Sequence, residues 1–136
     1  GVRLGTSEFY QVLDRMPEIR DSLVVFLEGR GDAAETGELF LFVQLADGIE
    51  ASDELTAMIA RTLRTELSPR HVPDSLHAVP VIPVNRTGKK LEVPVKRLLQ
   101  GRALADVAQA GALADPHALD WFADFAASRA RSSALW

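Results

Sequence analysis

Two runs of five apolar residues, Leu23-Val24-Val25-Phe26-Leu27 and Leu39-Phe40-Leu41-Phe42-Val43, constrain this chain more than any other feature. β-Branched and aromatic side chains suit a pleated, packed surface, and runs this short have strand length rather than helix length. Neither run alternates apolar with polar residues, so a strand built from either one shows apolar side chains on both sides. That predicts a sheet covered on at least part of both faces. Strands are read over residues 20–28 and 38–45, and the Gly-, Ala- and acid-rich link 29–37 between them reads as an exposed hairpin loop.

Helices are expected around this pair. Thr6 or Ser7 can cap a first helix with Phe9, Val12, Leu13 and Met16 on one face, ended by Pro17. Ser52 is placed to cap a second, with Asp53 and Glu54 in its first turn, favourable to the helix dipole. Its stripe is Leu55, Met58, Ile59 and Leu63, and Ser68-Pro69 stops it. An apolar strand broken by Pro80 is read over residues 79–82, followed by a polar turn in which Gly88 can take positive φ. A short helix over residues 94–100 follows, with Pro94 in its first turn and Gly101 closing it. Residues 103–114 are Ala-rich with weak periodicity and read as a loop or a loose helical turn. Asp115-Pro116 starts a last helix with Leu119, Phe122, Phe125 and Ala126 on one side and Trp121 as a packing anchor. The expectation is one small α+β domain: a short, mainly antiparallel sheet of three central strands plus a hairpin, packed by helices.

Composition narrows the function classes. A formal net charge of −4 over 136 residues argues against general nucleic-acid binding, which needs a broad basic face. Positive charge is nevertheless concentrated in Arg86, Lys89, Lys90, Lys96, Arg97 and Arg102, a local patch that suits a small anionic ligand. Cysteine is absent, which removes disulfides and a thiol nucleophile and is compatible with a cytoplasmic setting. No apolar run approaches membrane-span length and no signal peptide is expected. His71, His77 and His117 lack metal-ligand spacing and read as surface or core filler, so no metal site is expected within the chain. With no P-loop, no Gly-x-Ser-x-Gly and no evident carboxylate pair, the chain looks deficient as a self-contained enzyme. It begins mid-motif without Met, so it is expected to be a fragment that shares its chemistry with another domain. Lys89 then stands out, because an ammonium on a loop tip can be carried as a point charge to a phosphate or carboxylate.

Three ordered motifs carry a resemblance to a known family. Pro83-Val84-Asn85-Arg86-Thr87-Gly88-Lys89, followed by a basic helix, resembles the C-terminal signature of the adenylate-forming superfamily: acyl-CoA synthetases, luciferases and the adenylation domains of peptide synthetases. Gly1-Val2-Arg3-Leu4-Gly5-Thr6-Ser7-Glu8 resembles the Gly-x-Arg-[Leu/Ile]-x-x-x-Glu motif that follows the hinge between the family's two domains. Arg64-Thr65-Glu66-Leu67-Ser68-Pro69 and Val72-Pro73-Asp74 resemble the segment leading from its last long helix into the lysine-bearing strand. Within the superfamily, residues 88–96 and Leu119-Asp120-Trp121-Phe122 are most similar to the acetoacetyl-CoA synthetases.

The resemblance implies a post-hinge motif at 1–8, a core at 9–100 and a C-terminal extension at 101–136, together forming a mobile domain. A large N-terminal domain of the same chain would bind ATP, Mg2+ and the carboxylic acid, and this domain would close over them twice. Lys89 would complete the adenylation site in the first closure. In the second, Gly1 or Gly5 would let the pantetheine of CoA pass, Arg3 would reach a phosphate, and Glu8 belongs to the same motif. Arg64 would lie near the CoA nucleotide, and Gly88 with either Asn85 or Arg86 near ATP. Departures from the pattern are Thr87 where Ser is commoner and Asn85-Arg86 in place of Thr-[Arg/Leu]. The family's control by lysine acetylation carries over to Lys89, with a protein acetyltransferase and deacetylase as partners. The isolated chain is expected to be inactive and to hold none of these ligands tightly. The other reading is a non-catalytic module that docks its basic patch on an acidic partner or nucleic acid.

Overall fold

The computed structural model describes residues 6–27, 38–101 and 117–134. The link 29–37, the segment 103–114, residues 115–116 and the site candidates Gly1, Arg3 and Gly5 lie outside the described residues; the last helix, expected to start at Asp115-Pro116, begins at Asp120 after a turn over 117–119. The chain forms two compact units, Gly1–Pro80 and Val81–Trp136.

In the first unit β1 (Ile19–Leu27) and β2 (Glu38–Leu45) run antiparallel, with Leu23 opposite Phe42 and one register shift between Ile19 and Asp21. β3 (Ser75–Ala78) joins the other side of β2 in parallel, Phe40 facing Ser75 and Val43 facing Ala78, so the order is β1-β2-β3. A parallel partner needs a long crossover. Here it is α2 (Asp53–Glu66) and a 3₁₀ turn at Pro69–His71. The sheet is therefore mixed, with the antiparallel ladder the longer one. The strand read at 79–82 is displaced: the ladder lies at 75–78, and Val79 adds one last bond to the Val43 carbonyl (2.8 Å) before Pro80, which has no N–H to donate.

Val24, Leu39, Leu41 and Val43 form one core with Phe9, Val12 and Leu13 of α1 (Thr6–Leu13) and with Ile59 and Leu63 of α2. Leu23, Val25, Phe40 and Phe42, which point the other way from the strands, are also at most 3% exposed, as unbroken apolar runs require. α1 ends at Leu13, before Pro17, but Met16 still enters the core in the turn that follows. Ser52 caps α2 as expected, its Oγ accepting from the Leu55 N–H at 3.1 Å.

Asp74 extends the β2–β3 pairing with its side chain as well as its backbone. Its N–H donates to the Leu39 carbonyl at 2.8 Å, and its Oδ2 accepts from the Leu39 N–H at 2.7 Å. Leu39 is 5% exposed, so losing that carboxylate strands a nearly buried donor. Asp74→Ala is expected to cost about 1–3 kcal/mol, read as a lower urea midpoint at unchanged slope. An unchanged midpoint would show that water replaces the carboxylate at no cost.

In the second unit α3 (Glu92–Leu99) and α4 (Asp120–Ala134) pack together, and Val95, Leu98, Ala118, Leu119 and Phe122 are buried. Pro94 is the third residue of α3, where its missing N–H breaks no helical bond. Gly101 follows the helix at φ +98°, the left-handed closing residue that its position predicts. Trp121 stacks on Phe125 and meets the edge of Phe122, each at 5.2 Å between ring centres. No helix among the described residues is long and apolar enough to cross a membrane.

Candidate functional site

Val84 and Lys90 form an isolated antiparallel bridge, and the Leu91 N–H donates to the Pro83 carbonyl at 3.1 Å. These contacts clamp the base of a loop, residues 85–89. Inside it the Asn85 N–H donates to the Lys89 carbonyl and the Gly88 N–H to the Asn85 carbonyl, both at 2.9 Å. Gly88 sits at φ +87°, a conformation that L side chains rarely adopt, so the turn requires glycine there. Asn85 Oδ1 accepts from the Thr87 N–H (3.0 Å), the Thr87 hydroxyl (2.7 Å) and the Lys89 N–H (2.9 Å). Lys89 is exposed, and its ammonium has no hydrogen bond or ion pair among the described residues. Lys90, one residue on, is half-buried. The loop therefore holds its backbone with its own side chains and leaves its two cations, Arg86 and Lys89, exposed.

Of the two residues left open for ATP, Asn85 is engaged in building the loop, whereas Arg86 is exposed at the turn. Thr87 keeps the hydroxyl expected of Ser and donates it to Asn85.

Within the first unit, Arg64 lines an open hollow of about 310 Å³ with Ala57, Ala60, Arg61 and Val72. The small Ala57 and Ala60 side chains leave room on α2 beside the two exposed arginines. Glu8 lies elsewhere, on α1, where its Oε2 meets His71 Nε2 at 2.9 Å; His71 Nδ1 meets Ser68 Oγ at 2.6 Å. A carboxylate only accepts, so Nε2 donates to Glu8, and the Ser68 hydroxyl, which can donate or accept, pairs with Nδ1. His71 is 8% exposed and its ring lies 5.0 Å from that of Phe9, so this chain of contacts ties α1 to the turn after α2. In this structure Glu8 has a structural partner.

No family model matches the chain. Acetoacetyl-CoA synthetase of Caenorhabditis elegans is 39% identical to it over 128 residues, 92% of the chain. The solved structure of acetoacetyl-CoA synthetase from Streptomyces lividans matches 94% of the chain with a TM-score of 0.83 and 42% identity. The chain belongs to the adenylate-forming acyl-CoA synthetases. It spans 17% of the length of the nematode synthetase and 19% of the Streptomyces chain, so it is similar to a minor part of each. A malonamoyl-CoA synthetase of Penicillium aethiopicum is 40% identical over 129 residues, 93% of the chain, so similarity in this region crosses from one acyl group to another.

Sequence reasoning left three of these contacts unread. Arg61, exposed on α2, lines the same hollow as Arg64; its i, i+3 spacing was the available signal. His71, read as filler, links Ser68 to Glu8 over 63 residues, which no local pattern reveals. Asn85 registered as a departure from the family pattern and as one of two candidates for ATP, although an Asn two residues before Thr87 is itself a turn signal.

Proposed function

We propose that this chain is the C-terminal lid domain of an AMP-forming acid–thiol ligase that makes acetoacetyl-CoA from acetoacetate, ATP and CoA through an acyl-adenylate. The observation that supports it is the Lys89 loop: a clamped turn, a left-handed Gly88 and an exposed ammonium without a partner among the described residues. In the first half-reaction a carboxylate oxygen of the acid attacks the α-phosphorus of ATP, the bond to pyrophosphate breaks, and acyl-adenylate forms. Lys89 bridges the attacking carboxylate and the α-phosphate, orienting them and offsetting the charge that develops between them; it transfers no proton. Arg86 lies close enough in sequence to reach the nucleotide phosphates from the same turn. In the second half-reaction the CoA thiol sulfur attacks the acyl carbon, the thiol proton is lost, and AMP leaves with the bonding electrons. A hinge motion turns Lys89 away and presents residues 1–8, with Gly1 or Gly5 beside pantetheine and Arg3 at a phosphate.

Among the described residues no three of His, Cys, Asp or Glu gather as metal ligands. The family resemblance assigns Mg2+ to the large N-terminal domain of the same chain. Acetoacetate rests on the names of the relatives alone, since a malonamoyl-CoA synthetase is just as similar in this region. A cytoplasmic setting, a place in lipid metabolism, and reversible control by acetylation of the exposed Lys89 belong to the same proposal. The relatives are ligases, which does not favour a non-catalytic basic-patch module.

ATP–pyrophosphate exchange by the full-length protein, offered acetoacetate beside acetate and malonamate, tests the reading. Exchange strongest with acetoacetate supports it, and no exchange with any carboxylic acid overturns it. The CoA half has its own test. Arg64→Ala with Arg61→Ala is expected to raise KM for CoA about tenfold or more, leaving pyrophosphate exchange intact, because two guanidinium contacts to a phosphate are lost. An unchanged KM would remove the hollow from the site.

A further inference from the structure

We infer that Asn85 is the positioning residue for Lys89: its side-chain carbonyl, by gathering three donors, holds the lysine backbone in the one geometry from which the ammonium serves adenylate formation. The inference rests on the proposed role of Lys89 and deepens it. Two of the three donors are the backbone N–H groups of Thr87 and Lys89, at 3.0 and 2.9 Å, and the third is the Thr87 hydroxyl at 2.7 Å. The two backbone N–H groups can only donate, so the atom facing them is Oδ1 and not the amide nitrogen. The loop is exposed, and water can satisfy each of these groups once the side chain is gone. Losing the Asn85 carbonyl therefore does not strand a buried donor as losing Asp74 does; it releases a loop whose remaining internal ties are the Asn85–Lys89 and Asn85–Gly88 backbone bonds. Gly88, placed between Thr87 and Lys89, makes that release matter, because glycine has the most backbone freedom to regain. The Lys89 backbone would then sample several orientations, and the ammonium several positions relative to the α-phosphate. Misplacement of a reacting group by about 1 Å can cost about 10²-fold in rate.

The requirement is for an acceptor at that point, not for an amide. Asn85→Asp keeps the acceptor on a side chain of the same shape and is expected to stay within about fivefold of the parent enzyme in pyrophosphate exchange. Asn85→Ala is expected to lower the exchange rate about 10- to 100-fold with KM for ATP little changed. Thioester synthesis from supplied acyl-adenylate, which does not use Lys89, should continue at the parent rate. The full-length enzyme is measured in each case, with Lys89→Ala alongside. Parent-level exchange by Asn85→Ala, equal loss in both half-reactions, or an Asp variant as impaired as the Ala variant would each overturn the inference. With Lys89→Ala inactive in exchange, such a result leaves the role of Lys89 standing; if Lys89→Ala exchanges normally, both fall. Should Asn85→Ala not accumulate folded, Thr87→Val removes one of the three donors. A severalfold loss confined to exchange then supports the inference, and full retention overturns it.

Discussion

In the full-length ligase, Lys89→Ala is expected to lower adenylate formation by about 10²- to 10³-fold while thioester synthesis from supplied acyl-adenylate continues, the cost typical of removing one preorganised contact to developing charge. The asymmetry follows from where the lysine sits. Its ammonium is exposed and meets nothing among the described residues, so truncation leaves no orphaned partner and creates no cavity. A stability loss would reduce both half-reactions together; a missing transition-state contact reduces one. Lys90→Ala is the control, since that neighbour is half-buried and leaves the loop from the clamped side. Acetylated Lys89 should behave as the alanine variant does, because acetylation removes the charge. Mapping by mass spectrometry beside pyrophosphate exchange reads this directly: full exchange with Lys89 acetylated, or equal loss in both half-reactions on truncation, would end the assignment.

Much of the fold was legible because its signals are local. β2 spans Glu38–Leu45, the limits read from the apolar run, and the Ser52 cap and the Gly88 and Gly101 turns depend on neighbouring residues only. β3 was misplaced because Ser75-Leu76-His77-Ala78 is a weak strand former by composition. Its place in the sheet is imposed by pairing with β2 and by Asp74, contacts made some 35 residues away in the chain. Apolar Val79 and Ile82 drew the reading forward; both are buried, but Pro80 between them cannot extend a ladder.

The site divides along the same line. Gly88 and Lys89 were readable because a turn and an exposed cation are properties of a few consecutive residues. The partners of Glu8 were not, since α1 and the turn holding Ser68 and His71 meet only through the fold. Glu8 thus entered as a ligand candidate on motif alone, and the contacts it makes here are to a histidine. The hollow beside Arg64 lies between: helical spacing puts Arg61 on the same side, but Val72 joins it from beyond the 3₁₀ turn.

Among the described residues of the unit that carries Lys89, the buried apolar side chains are few and Phe122 is the largest of them. Phe122 is fully buried, touches the Trp121 ring edge-on at 5.2 Å, and belongs to the helix that packs on α3 directly after the lysine loop. Truncating a buried phenylalanine removes its transfer energy and leaves a cavity, and Phe122→Ala is expected to cost about 3–5 kcal/mol. A core of few large side chains has little else to repack into that space, and units of this size have little stability to spare. The loss should appear as a lower urea midpoint followed by the fluorescence of Trp121, which stacks on Phe125 in the same unit. Amide exchange should accelerate first in α3 and α4. Val93→Ala, at a position 57% exposed on α3, is the comparison and should change the midpoint by no more than about 0.5 kcal/mol. Because the loop is continuous with α3, pyrophosphate exchange should fail at a lower temperature in Phe122→Ala than in the parent, even though Phe122 touches no substrate. An unaltered midpoint would mean that the two helices do not depend on this ring.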